Sequence, residues 1–216
     1  ATNKPVSEFG SRRAHGPWAA TYGAKAAIIA GCSTTSNILT GALFDYGSTG
    51  TMAHSYVTAF GSSVAGEYKA FDTYVKTHRN EPLILLIDTY DTLKCGVLNA
   101  IKAFKTILHP QGIRNCAVRI DSGDVTYLTK KVRKMLDDAG LPECRIVVSN
   151  SMDEYIIREL IRQGAEIDSF GVGERLITAK SDPVFGGVYK VCAVEDENGN
   201  VIPKIKISEN VGKITT

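Results

Sequence analysis

Between residues 83 and 178 short apolar runs alternate with amphipathic stretches of helical period. "LILLID" (83–88), "CAVRID" (116–121) and "CRIVVS" (144–149) are runs of the length and β-branched content expected of strands buried on both faces. Each is followed by a helical pattern: "KCGVLNAIKAFKTIL" (94–108), "VTYLTKKVRKMLDDAG" (125–140) and "DEYIIRELIRQG" (153–164), the last two ending in glycine as helix C-caps. "IDSFGVGERL" (167–176) gives a fourth, shorter strand and a glycine turn. Strand and helix alternating through short links imply parallel βα units and an α/β fold. No GxGxxG follows the first clear strand, which disfavours a dinucleotide-binding sheet and favours a (β/α) barrel.

Upstream, "HGPWAATYGAKAAIIAG" (15–31) predicts a helix with Pro17 in its first turn, and "TTSNILTGALF" (34–44) a second with Thr34 or Thr35 as N-cap. Downstream, "GGVYKVCAVEDENGNVIPKIKIS" (186–208) alternates, turns on "ENGN" and alternates back, the pattern of a β-hairpin. A boundary near residue 180 therefore separates a barrel core (1–180) from a short β-rich element (181–216). Four clear strands, even with two more upstream, are too few to close an eight-strand barrel. The chain reads as an incomplete barrel and a piece of something longer.

Composition changes this picture little. Of 216 residues, 44% are apolar and 22% charged, and the net charge is +2, so nothing demands nucleic acid or an anionic membrane. No run approaches the roughly 18 apolar residues of a membrane span, and no signal-peptide pattern opens the chain. The five cysteines (Cys32, Cys95, Cys116, Cys144 and Cys192) include no CxxC pair, which is cytosolic usage with reduced, inert, mostly packed thiols. A cytoplasmic protein is expected.

Candidate chemistry collects where strands end. In a parallel barrel, ligands bind at the carboxyl ends of strands, here near Asp88, Asp121, Ser149 and Gly171. Arg119 lies inside a strand that otherwise reads as buried, so it must face the barrel mouth or meet a carboxylate. Asp121 stands at that strand's end, followed by Ser122 and Gly123 in the turn; the plain alternative is a helix cap with an internal Arg–Asp pair. Asp88 and Asp91 flank another strand end and suit a cap or a site equally. Ser149, Asn150 and Ser151, and Gly171 with Gly173, suit an anion held by hydroxyl and backbone N–H groups. Arg12 and Arg13 offer guanidinium groups for carboxylate or phosphate, or are a solvated basic pair. His54 follows "YGSTGTMA" with Gly50, Thr51 and Ser55 around it; it is a structural histidine, or an acid–base or nucleophilic group beside a phosphate site. His15, His78 and His109 have no comparable setting, their spacing makes no metal cluster, and no protein-built zinc site is expected.

Taken in order, "EFGSRRAHGP", "TSNILTG", "GTMAHS", "IDTYDT", "AVRIDSGD", "SNSMDE" and "IDSFGVGERL" resemble the nicotinate phosphoribosyltransferase family. The resemblance implies an irregular α/β barrel of the type II phosphoribosyltransferase kind, incomplete here, packed with a mixed domain built from both chain ends. It implies transfer of phosphoribose from 5-phosphoribosyl 1-pyrophosphate to nicotinate in NAD salvage, with ATP as cosubstrate and Mg²⁺ as metal, in a homodimer. The family's histidine in "GTMAHS" is phosphorylated by ATP, and here it is His54. Phe9 would stack on the pyridine ring and Arg12 or Arg13 would serve the phosphate region. Arg119 would hold the nicotinate or phosphoribosyl end and Asp121 the ribose hydroxyls, while Asn150, Ser151, Gly171 and Gly173 would cradle the 5′-phosphate. Ser36, Thr51, Ser55, Asp88, Ser122 and Gly123 complete the expected binding set. The family's chains are about twice this length, and their opening segment, with a tyrosine that completes a neighbouring subunit's site, has no counterpart here.

Four other readings stand beside this one. The sister enzyme using nicotinamide differs by an amide–carboxylate choice that one or two residues can set. Quinolinate phosphoribosyltransferase needs more basic residues and no phosphorylated histidine. A barrel lyase or aldolase should end a buried strand in lysine, yet Lys180 lies in the linker. The non-enzyme alternative is a fragment that binds nucleotide without turnover.

Overall fold

The apolar runs form one all-parallel sheet. Its strands are β1 (Val6–Glu8), β2 (Thr34–Thr35), β3 (Leu83–Leu86), β4 (Cys116–Ile120), β5 (Arg145–Val148) and β6 (Ser169–Val172), in the order β2-β1-β6-β5-β4-β3. In this computed structural model residues 1–209 are described, apart from Asn80, Phe185, Lys206 and Ser208. The fold is mixed α/β with the sheet curled as part of a barrel. Leu85, Leu86, Val118, Ile120, Ile146, Val148 and Phe170 are fully buried, as strands covered on both faces require. Residues 48–51 reach both edge strands: Thr49 N–H donates to the Thr35 carbonyl (2.9 Å) and Thr51 Oγ1 to the Ile84 carbonyl (2.8 Å).

The helices follow the period-3.6 patterns, with local corrections. They are α1 (Pro17–Ile29), α2 (Ile38–Phe44), α3 (His54–Thr58), α4 (Val64–His78), α5 (Val97–Ala103), α6 (Val125–Asp138), α7 (Glu154–Arg162) and α8 (Glu174–Ile177). The helix predicted over 34–44 starts later: Thr34 and Thr35 are strand β2, and Asn37 is the N-cap, accepting from Thr40 N–H at 3.0 Å. The stretch predicted over 94–108 is α5 flanked by wider π-type turns at Thr92–Gly96 and Phe104–Leu108. Helix α4 had no counterpart in the sequence reading. Its buried face mixes Ala70, Phe71 and Val75 with Gly66 and Glu67, so its apolar stripe is broken where the helix begins. The Glu67 carboxyl is pushed up by burial, opposed by hydrogen bonds from Asn99 and Cys95.

The amino end of β4–β5 is thiol-lined. Cys116 and Cys144 are buried, and the neighbouring Cys116 together with burial raises the Cys144 thiol; Cys95 is also buried, whereas Cys192 is exposed. Among the described residues no helix is long and apolar enough to cross a membrane.

One glycine fixes how the helical segment after β3 meets the sheet. A Cβ at Gly96 would lie 1.8 Å from the Ile87 carbonyl oxygen, a backbone atom that cannot step aside. Alanine in place of a helical glycine usually gains about 1 kcal/mol, but overpacking against backbone here costs about 3 kcal/mol or more. Gly96→Ala is therefore expected to lower Tm by about 10 °C for a chain of this size, read by calorimetry. An unchanged or raised Tm would show that the Ile87–Gly96 approach is not fixed.

The chain divides into two compact units, Ala1–Ser181 and Asp182–Thr216. In the second, β7 (Ala193–Glu195) and β8 (Val201–Pro203) pair antiparallel across a turn in which Asp196 Oδ1 accepts from Asn198 and Asn200 N–H groups. The predicted hairpin range of 186–208 is thus wider than its paired strands.

Candidate active site

The strand ends share one spacing rule, and it divides labour between two polar residues three positions apart. After β3, Asp91 accepts from Leu93 and Lys94 N–H groups (3.0 and 2.8 Å), leaving Asp88 uncommitted to a cap. After β4, Asp124 caps α6 through Tyr127 N–H (3.0 Å), leaving Asp121. After β5, Asp153 caps α7 through Tyr155 and Ile156 N–H groups, leaving Asn150. Orphan helix N–H groups are satisfied by the downstream residue in each loop. The upstream one is left at the carboxyl end of its strand.

These ends open on a cleft of about 720 Å³. Phe9 enters it just past β1, its N–H held by the Val172 carbonyl at 2.7 Å, and Ser36 just past β2, its N–H held by the Glu8 carbonyl at 2.8 Å. Thr51, His54 and Ser55 line it from the segment that reaches both edge strands, and Arg12, Arg13, Arg119, Asp121, Asn150, Ser151, Gly171 and Gly173 line it as well. Three predicted residues are not in its lining. Asp88 lies behind, with a side chain only 2% exposed; Ser122 Oγ donates to Asp88 Oδ2 at 2.5 Å; and Gly123, at φ +83°, shapes the turn. The Asp88 side chain is buried behind the lining, whereas Ser122 and Gly123 are exposed outside it.

His54 is the first residue of α3 and 42% exposed. Its Nδ1 lies 3.1 Å from Thr89 Oγ1, and its Nε2 lies 3.8 Å from Asp88 Oδ1 and 3.9 Å from Asp121 Oδ2. Asp121 is held in turn: Ser149 Oγ donates to its Oδ1 at 2.5 Å, and its own N–H donates to Asp88 Oδ2 at 3.0 Å. Asp88 Oδ1 is buried and has no hydrogen-bond partner among the described residues.

Arg119 is a half-buried cation with donors to spare. Its Nη2 donates to the Met52 carbonyl at 3.2 Å, its Nε has no partner, and no carboxylate lies within 4 Å of it among the described residues. Burial pushes its pKa down from the usual arginine value, opposed by Asp121 and Asp88. A guanidinium left so incompletely satisfied suits an anion supplied from outside.

At the far wall a Cβ on Gly171 would come within 2.6 Å of the Phe9 ring, so Phe9 lies directly against bare backbone. Asn150 adopts φ 102°, a conformation costly for a non-glycine residue and characteristic of functional turns. Sequence reasoning missed Thr89 as the partner of His54, and Met52 and Glu174 in the lining. Thr89 and His54 are 35 positions apart, and no local pattern links them. Among the described residues no group of three or more His, Cys, Asp or Glu side chains is placed to hold a metal ion.

The family model described as "Nicotinate phosphoribosyltransferase (NAPRTase) family" matches residues 5–214. The chain is 46% identical over 209 residues to the nicotinate phosphoribosyltransferase of Bacillus subtilis, covering 97% of this chain and 41% of that protein. Among solved structures, human nicotinic acid phosphoribosyltransferase aligns with a TM-score of 0.69 at 26% identity, covering 80% of this chain and 44% of that one. The nicotinate-nucleotide pyrophosphorylase of Pyrococcus furiosus aligns at 0.66 and 28% identity, covering 98% and 57%. The chain thus spans about two fifths of the Bacillus relative's length. With its strand-end cleft and a family match over nearly its whole length, the chain belongs to the nicotinate phosphoribosyltransferase family.

Proposed function

We propose that this chain carries the barrel part of a type II phosphoribosyltransferase. It joins nicotinate to 5-phosphoribosyl 1-pyrophosphate, gives nicotinate mononucleotide and pyrophosphate in NAD salvage, and couples the reaction to ATP hydrolysis through His54. The observation that carries this reading is the meeting, in one cleft, of Arg119 and its unused donor with His54 set against Asp88 and Asp121.

The pyridine nitrogen is already a nucleophile, so no strong base is required. Loss of pyrophosphate leaves an oxocarbenium-like sugar carbon, and catalysis is chiefly positioning and charge stabilisation. Phe9, packed against Gly171, offers its ring to the pyridine. Arg119 takes the nicotinate carboxylate or the phosphoribosyl end, and Arg12 or Arg13 the phosphate region. Asp121, locked by Ser149, takes the ribose hydroxyls and favours the positive charge that develops beside it. Asn150, Ser151, Gly171 and Gly173 take the 5′-phosphate.

In the ATP step a His54 ring nitrogen bonds to the γ-phosphorus as its bond to the bridging oxygen breaks, releasing ADP. Water later splits the N–P bond to give phosphate. Thr89 and the two carboxylates orient the ring. Mg²⁺, when bound, neutralises charge on the leaving pyrophosphate and on ATP. Asp121, with the unpartnered Asp88 Oδ1 buried behind it, would hold such a hard cation. A cytoplasmic homodimer belongs to the same proposal.

Incubating the protein with nicotinate, 5-phosphoribosyl 1-pyrophosphate, Mg²⁺ and ATP is expected to yield nicotinate mononucleotide by mass spectrometry, with ADP formed alongside. Absence of both product and binding of added mononucleotide would overturn the reading.

A further inference from the structure

Helix α8 has four residues, yet three elements are fastened to it. Ile177 occupies space beside Gly10 and Gly23, where a Cβ on either would come within 2.4 Å of it. Glu174 lies 3.5 Å from Arg13. Arg175 Nη1 donates to Asp153 Oδ2. The cleft's lining includes Glu174 but not Arg175.

Asp153 is the point where two tasks meet. One carboxylate oxygen accepts from Tyr155 and Ile156 N–H groups (3.1 and 2.8 Å) and so caps α7, while the other receives the guanidinium. The Asp153 side chain is 8% exposed and that of Arg175 is 37% exposed. The Ile156 N–H first, and the Arg175 charge after it, hold this carboxyl below the usual carboxylate range, so the link persists at neutral pH. It joins the strained turn at Asn150 to the Gly171–Gly173 strand end that leads into α8. These are the two segments assigned above to the 5′-phosphate.

A cradle made of backbone N–H groups from two separate loops works only if their spacing is fixed, because each loop alone supplies too few donors. The β5–β6 ladder sets that spacing as far as Val148 opposite Phe170; past those pairs, Arg175–Asp153 is the side-chain link that ties the loop after β5 to the end of β6 among the described residues. We propose that Arg175, acting through Asp153, is a positioning residue for 5′-phosphate recognition: it fixes the distance between the Asn150–Ser151 turn and the Gly171–Gly173 segment without touching the ligand. This inference rests on the function proposed above. The pair's own contribution to stability is small, since one partner is more than a third exposed. Its effect lies in geometry.

The test compares two ligands that differ only in the 5′-phosphate, nicotinate mononucleotide and nicotinate riboside, by calorimetric titration of the unaltered protein and variants. Arg175→Met keeps the side-chain stem and removes the link; it is expected to weaken mononucleotide binding about tenfold while riboside binding stays within about twofold. Arg175→Lys is expected to restore most of the loss. Asp153→Asn keeps an oxygen for the cap while weakening the link, and serves if the methionine variant does not fold; the same phosphate-selective loss is expected. Equal losses for both ligands, or none for either, would overturn the assignment. If the unaltered protein binds neither ligand, the proposed function falls and this inference with it. If it binds both and the variants match it, only Arg175 is wrongly assigned.

Discussion

Replacing His54 with alanine is expected to bring transfer of label from γ-labelled ATP to the protein down to background, with the fold intact. The fold should survive because the ring is 42% exposed and has one hydrogen bond, to Thr89. Losing a partly exposed bond of that kind costs about 1 kcal/mol, within reach of a domain's stability margin. The other histidines do not compete as acceptors by the same geometry. His15 lies outside the cleft's lining, as do His78, 3.4 Å from Glu81, and His109, 3.2 Å from Glu143. Label on the unaltered protein should be acid-labile and alkali-stable, as phosphoramidates are. Thr89→Val should leave labelling detectable but slower, since it removes only the group that orients the ring. Labelling of the His54→Ala protein at the unaltered level would sink the phosphohistidine assignment.

How far such a site can be read from sequence depends on which contacts are local. The alternation of "LILLID", "CAVRID" and "CRIVVS" with helical periods identified β3, β4, β5 and their helices, because strands covered on both faces are short runs dominated by apolar residues, with Arg119 and Arg145 as the polar exceptions. The same logic failed at Thr34 and Thr35. A two-residue edge strand has too few side chains to show a period, and two threonines before an apolar run look like a cap. Helix α4 escaped because Gly66 and Glu67 sit on its buried face.

Within the site, the residue types that cluster at strand ends were legible, and their roles in the wall were not. "IDTYD" and "RIDSGD" each hold two carboxylates, and only the structure shows Asp91 and Asp124 spending theirs on helix N–H groups. Asp88 stands behind the lining for the same reason: its carboxylate is turned to the Asp121 N–H and the Ser122 hydroxyl. Thr89 with His54, and Arg175 with Asp153, join residues 35 and 22 positions apart. Their pairing exists only after the sheet has assembled.

Arg119 gives the second large effect, and a test whose sign separates a ligand-binding arginine from a structural one. Arg119→Met keeps most of the side-chain volume and removes the charge. If the guanidinium serves a ligand carboxylate or phosphate, its removal costs about 3 kcal/mol of binding, on the order of a hundredfold in Kd for nicotinate mononucleotide. The unliganded fold should hardly notice. The guanidinium makes one hydrogen bond, to the Met52 carbonyl, leaves Nε unpartnered, and has no carboxylate within 4 Å among the described residues. Replacing an incompletely paired buried charge by an apolar group of similar size is often neutral or stabilising. Against this, Asp121 and Asp88 lose a neighbouring positive charge, which limits the gain. The two terms oppose each other, and Tm is expected to stay within about 3 °C of the unaltered protein. Were Arg119 instead half of a structural ion pair, breaking it would cost about 3–5 kcal/mol and lower Tm by about 10 °C or more. A thermal scan of both proteins, with and without mononucleotide, reads both quantities. The expected pattern is nearly equal Tm values without ligand and a ligand-induced rise confined to the unaltered protein. A large fall in Tm with an undiminished ligand shift would return Arg119 to the scaffold.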